Sequence, residues 1–409
     1  MKLWLKYLIG VVLGIFLAVI FPENSVRGLA FLDFINNLVI HIGRYMLLPV
    51  LFFSISTACF NLREEKQILK SGIWIFGVLI ASSVLLVLIG LVSSLIVNLD
   101  RLPVPYKNDN LNTTLDIGTL ITSIFPTSGF EVLLNGAYLL PCFIFAGLAG
   151  AGATSDKSAS KPAVTLFESL AHVCYSVMSF FTEILSIGFI ALMCKWVLNF
   201  SVLWKSKIFN SLILMLTVDF FVAALVIYPL ILRVLCHDTR PYRVLYASIC
   251  PALAAFISGD TNLTLTLNLR HGRESLGIKP NCANVSFPLF SIFGRGGSAL
   301  VETVSFLLIY KSYSTEDLSL SFILWIAVFA FLLSFALANF PSGGTFFAIT
   351  IMCAMKGHGL EAGYLLLKDV APVLCAYAAA FDALTAITGS YIVAVKTKMI
   401  HHQEIKKFI

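Results

Sequence analysis

VSFPLFSIFGRGGSALVETVSFLLIY, residues 285–310, would pass for one membrane-crossing helix but for Gly294, Arg295, Gly296 and Gly297 at its middle. In hydrocarbon an unpaired backbone group costs several kcal/mol, so an unwound spot survives only where protein or a water-filled cavity satisfies it. Transporters use such breaks to hold substrates and ions. The competing reading is a packing kink with Arg295 snorkelling to an interface. Arg295 lies well inside the apolar run, where a charge is expensive, and this favours the binding-site reading.

The 409 residues are 58% hydrophobic and 12% charged, with mean hydropathy +0.91. Soluble domains carry about 25% charged residues, so half that share marks an integral membrane protein. No ten-residue stretch alternates with period two, which excludes a β-barrel and leaves an all-α polytopic chain. The net charge of +6 is scattered through loops and implies no nucleic-acid partner. The nine cysteines show no CxxC spacing and sit mostly in apolar runs, as reduced, buried thiols. The seven histidines form no HxxxH pair, so no metal site is expected.

Ten apolar runs reach the length a bilayer requires: 3–21, 31–60, 72–97, 120–153, 164–198, 212–235, 245–269, 285–310, 318–355 and 360–395. The first is read as an uncleaved span. Two runs are broken by small or polar residues, at 258–261 and 341–344, as re-entrant helical hairpins are. Eight full crossings then remain, and both termini share a side. With that side cytoplasmic, Lys and Arg divide about two to one in its favour, as the positive-inside rule asks. Arg44, Arg295 and Lys368 stay at membrane depth, Arg44 being read as interfacial. Residues 98–119 read as an external polar loop and 154–161 (TSDKSASK) as a short flexible linker.

Several motifs carry a family resemblance. ALANFPSGG (336–344) resembles the Pro-Gly-Ala-Gly tip of the second re-entrant hairpin in the dicarboxylate/amino acid:cation symporters, the glutamate transporter family. FPLFSIFGRGGSALVE (287–302) is similar, without a gap, to that family's Leu-Pro-Leu-Gly-Ala-Thr-Ile-Asn-Met-Asp-Gly-Thr-Ala-Leu-x-Glu. SGDTNLTLTLNL (258–269) stands where the first hairpin's serine-rich tip belongs, RYMLLPVLF (44–52) resembles the second span, and AITGSYIVA (386–394) resembles the last. The resemblance implies eight transmembrane helices plus two re-entrant hairpins, an elevator fold assembled as a homotrimer. Residues 1–236 would be mainly scaffold, and 237–409 the core of a mobile transport domain. It also implies a cytoplasmic (inner) membrane location with both termini cytoplasmic. The substrate would be a small amino acid or dicarboxylate, with no enzymatic activity and no cofactor beyond a coupling Na+ or H+.

Carried over position by position, the substrate site would comprise Ser258, Gly259 and Asp260 on the first tip, and Arg295 and Ser298 on the broken span. Pro341, Ser342, Gly343 and Gly344 on the second tip and Asp382 and Thr385 on the last span complete it. Ion coupling would involve Gly294, Asp260, Asp382 and Ser390. The departures are chemical. The family's Asn-Met-Asp reads Gly294, Arg295, Gly296, and the last-span Asn and Asp read Ala386 and Ser390. Hard cations want several oxygen ligands, and this chain has removed four and added a guanidinium. Arg295 is therefore expected to stand in for at least one sodium ion, altering Na+ coupling.

Asp260, Arg295 and Asp382 should converge in the fold. They could form a structural triad, Arg295 could grip a substrate carboxylate, an aspartate could carry a coupling proton, or Asp382 could receive an amino group. The functional classes are a secondary active symporter, an uncoupled facilitator or channel, and a non-transporting sensor. An intramembrane protease lacks any paired-aspartate motif.

Overall fold

Eighteen residues of uninterrupted hydropathy, Leu3–Ile20, make α1, and its inner stripe explains how it docks. Leu3, Tyr7, Gly10, Gly14 and Ala18 recur at helical spacing and are buried. At Gly10 and Gly14 the neighbouring backbone at Ser186 and Ile190 comes so close that a Cβ would overlap it. Small residues thus let two helices touch backbone to backbone, the usual glue between helices in lipid. The computed structural model describes residues 2–409 except 22–25, 98–99, 104–127, 135–138, 315–317, 341, 358 and 402.

After α1 come α2 (Val26–Arg44), α3 (Leu47–Glu64), α4 (Ile68–Ile96), α5 (Gly129–Leu134) and α6 (Leu139–Ala153). The fifty-residue α7 (Lys157–Ser206) follows, then α8 (Asn210–Val222), a π turn (Ala223–Ile227) and α9 (Tyr228–Cys236). The second half holds α10 (Tyr242–Ser258), α11 (Thr261–Glu274), α12 (Pro280–Phe293), α13 (Gly296–Tyr313), α14 (Leu320–Ala336), α15 (Gly344–Lys356) and α16 (Ala371–Lys396). Among the described residues the β content is one isolated bridge, Ile278 to Ile400.

Seven runs among the described residues are long and apolar enough to cross a membrane. The chain is accordingly a polytopic all-α membrane protein. Tyr242–Ser258, Leu320–Ala336 and Gly344–Lys356 are shorter apolar helices, each abutting one of the two expected hairpin breaks. The expected span at 120–153 is described only over α5 and α6, and the loop at 98–119 lies outside the described residues except for 100–103.

Burial ranks the elements. The most apolar windows of Pro280–Tyr313 and Ala371–Lys396 are 94% buried, against 28% for Leu3–Ile20. The broken helix and α16 therefore form the centre, with α3 against α12 and α4 against α13. α1, α4, α8 and α14 turn Phe16, Ile73, Leu214, Leu320 and similar side chains outward, as lipid-facing helices do.

Two local expectations need correction. The linker at 154–161 is a two-residue turn followed by the start of α7, because Asp156 accepts hydrogen bonds from the amides of Ser158 and Ala159 (3.1 Å each) and nucleates the helix. The Ala159 amide, then the Ser158 hydroxyl, hold the Asp156 carboxyl below its usual range. The run at 360–395 is split by a 3-10 turn, Gly363–Leu367, ahead of Pro372 in the first turn of α16. Lys368 sits in that junction with Asp369, both exposed.

Candidate functional site

The first tip is built by two opposed helix caps. Gly259, at φ 61°, closes α10 in the left-handed region that a Cβ disfavours, and its amide donates to the Ala255 carbonyl. Asp260 then opens α11, accepting from the amides of Asn262 (2.8 Å) and Leu263 (3.1 Å). Its other oxygen takes the guanidinium of Arg44. Arg44, expected at an interface, instead ties the end of α2 to this tip.

The broken span opens over two residues. Phe293 ends α12, the Gly294 amide still reaches the Phe290 carbonyl (2.8 Å), and α13 starts at Gly296. Asp382, from α16, caps the new helix: its Oδ1 accepts from the amides of Gly297 (2.7 Å) and Ser298 (3.2 Å), its Oδ2 from the Ser298 hydroxyl (2.9 Å). A carboxylate at a helix N-terminus is favoured by the dipole as well as by these donors. The cap requires α13 and α16 to approach closely at Gly297, where a Cβ would overlap that of Phe381.

Arg295, 4% exposed, links this centre to the second tip. Nη1 lies 3.8 Å from Asp382 Oδ2, and Nη2 donates to the Phe340 carbonyl at 3.1 Å. Its Nε has no partner among the described residues. Gly343, at φ 75°, leads into α15 and folds the tip over Arg295. Gly259, Arg295, Ser298, Ser342, Gly343, Gly344 and Asp382 thus line one cavity, together with Cys375 and Ala379. The cavity is about 10 Å³, room for about one water.

Other expected site residues lie elsewhere. Ser258 donates to Ala254 of its own helix, and the Thr385 hydroxyl lies 2.6 Å from that of Tyr228 on α9. Gly294, Thr385 and Ser390 do not line this cavity. The Ser390 hydroxyl is buried without a partner among the described residues. Pro341 lies outside the described residues. The three groups expected to converge do share one charge cluster: Arg295 pairs directly with Asp382, while Asp260 acts on Arg295 at longer range and gives its direct contact to Arg44, because the cap geometry of α11 directs it to α2. No periodicity in the sequence signals the Arg44 contact, which spans 216 positions. The Phe340 acceptor is a main-chain carbonyl and has no residue-type signature.

Glu302, one turn beyond Ser298, is wholly buried, and neither of its oxygens has a partner among the described residues. Asp219 on α8 is held by the Ser93 hydroxyl (2.8 Å). No group of three metal-ligating side chains occurs among the described residues.

Residues 3–396 match the model of a family described as the sodium:dicarboxylate symporter family. A protein named L-cystine uptake protein TcyP, from Shouchella clausii, is 24% identical over 87% of this chain and 80% of its own length. A TcyP of Bacillus cereus is 23% identical, covering 85% and 79%. An uncharacterized symporter of Haemophilus influenzae is 21% identical, covering 91% and 89%.

Proposed function

The chain belongs to the sodium:dicarboxylate symporter family, and from that premise we propose that it is a secondary active transporter of a small amino acid or dicarboxylate across the cytoplasmic membrane, with altered cation coupling. The observation that carries this reading is Arg295, buried between Asp382 and the carbonyl of Phe340. A guanidinium keeps its charge inside proteins. At ~4 Å from the carboxylate it supplies the positive charge that a bound cation would otherwise bring, and it repels a second cation there. The chain's own atoms bridge α13, α16 and the second tip, so closing that tip needs no added sodium ion.

The same pair suits a zwitterion. Its single contact at 3.8 Å is no bidentate lock, and the free Nε leaves Arg295 a donor for a substrate carboxylate. Asp382 would take the ammonium. An α-amino acid end, of which L-cystine has two, fits this arrangement better than a plain dicarboxylate. The coupling ion on this reading is H+, and Glu302, a buried carboxyl group without a partner among the described residues, is the group to test. Residues 237–409 would move against 1–236 as an elevator within a homotrimer.

The second reading, an uncoupled facilitator, is favoured by the same self-contained bridge. Uptake of labelled L-cystine, L-aspartate and succinate into proteoliposomes, with Na+ and pH gradients imposed separately, distinguishes the two. Uptake of the amino acids driven by an inward H+ gradient, indifferent to Na+ and made independent of pH by Glu302→Gln, is expected. Equal rates under every gradient would select the facilitator, and a steep Na+ dependence would sink the role given to Arg295.

A further inference from the structure

Away from the closed pocket, a cavity of about 320 Å³ lies between α3, α7, the end of α11 and the start of α12. That volume is within the range of small-molecule sites. Arg273 and Lys279 form its basic wall, and no carboxylate lies within salt-bridge distance of either among the described residues. The reason is local. Glu274, the nearest acidic neighbour in sequence, is taken by Arg270 Nε (3.4 Å) and by the Tyr175 hydroxyl (2.8 Å). Tyr175, so anchored, carries the Arg273 guanidinium 3.8 Å above its ring and fixes it at the cavity.

The floor adds uncharged donors. Pro280 opens α12 with no side-chain cap, so the first turn of a fourteen-residue helix lines the cavity with its positive dipole end uncompensated. Asn284, one turn on, is 6% exposed, and its Oδ1 has no partner among the described residues. The one carboxylate on the wall, Glu168, is exposed on α7.

We propose that this cavity binds a phosphate group, either that of a phospholipid headgroup or free phosphate. A guanidinium fork, an ammonium and a helix N-terminus line the same cavity, which matches a multivalent oxyanion with several acceptor oxygens. The space is too large for a monatomic anion to touch all three. The site is independent of the transport reading, since none of its residues lines the Arg295 pocket.

The test uses the full chain, purified in detergent and separately in nanodiscs. Inorganic phosphate is titrated against chloride at matched ionic strength, following the unfolding midpoint. Native mass spectrometry of protein from phosphatidylcholine discs, with and without phosphatidylglycerol, counts retained phospholipid. Stabilisation by phosphate above chloride, weakened about tenfold by Arg273→Gln and by Lys279→Gln, supports a free-phosphate site. Retained phosphatidylglycerol lost in both variants supports a lipid headgroup site. Lys279, whose ammonium has no partner among the described residues, carries the test if the Arg273 variant fails to fold. Equal midpoints in phosphate and chloride together with no retained lipid, or either signal unchanged in the variants, overturns the proposal.

Discussion

Arg295→Gln and Asp382→Asn remove opposite halves of one buried pair, and they leave unequal remainders. Without Arg295, Asp382 keeps three donors, the amides of Gly297 and Ser298 and the Ser298 hydroxyl. Without the Asp382 charge, Arg295 keeps the Phe340 carbonyl as its one hydrogen-bond acceptor among the described residues, with Asp260 a more distant charge. Breaking a buried pair costs about 3–5 kcal/mol, so Arg295→Gln should fall near the lower figure and Asp382→Asn near the upper. The double variant should cost less than the sum, because each partner then lacks a charge to strand. Unfolding midpoints of the purified variants check the order; equal losses would mean that another group compensates Arg295. The residues themselves were legible beforehand, since a charge inside an apolar run is conspicuous. Their direct partners were not: Asp260 lies near enough to act on Arg295, as expected, but its role as the cap of α11 gives its direct contact to Arg44.

The breaks in the helices obey turn chemistry that can be separated by two glycine substitutions. Gly259 has open space around the position of a Cβ but a φ of 61°. Gly259→Ala therefore meets backbone strain alone, about 1–2 kcal/mol. Gly297 has ordinary helical geometry, yet a Cβ there meets Phe381, Asp382 Oδ1 at 2.8 Å and the Ala378 carbonyl at 2.9 Å. Gly297→Ala must push α13 off α16, which puts it at the upper end of the about 1–3 kcal/mol that overpacked cores cost. It should also abolish uptake, because the Asp382 cap depends on that approach. Thermal unfolding and proteoliposome uptake of the two variants test the distinction. If Gly259→Ala proved the more damaging, the close approach of α13 and α16 would not be the governing contact.

For the molecule as a whole, the proposed topology, an even number of crossings with both ends cytoplasmic, makes a direct prediction. Alkaline phosphatase fused after Phe408 should be inactive, and the same enzyme fused after Asp100 should be active. The reverse result would invert the topology inferred from the basic residues. The all-α membrane class and the helix ends near 258–260 and 294–295 follow from hydropathy and from Gly, Pro and Ser placed inside apolar runs, because lipid tolerates no unpaired backbone and each break must therefore be written into the chain. Which charges meet is a different matter. Arg44 and Asp260 lie 216 positions apart, and Arg295 bonds a main-chain oxygen that any residue could supply. Such contacts depend on how helices stack around Pro280–Tyr313 and Ala371–Lys396, and only packing in three dimensions selects them.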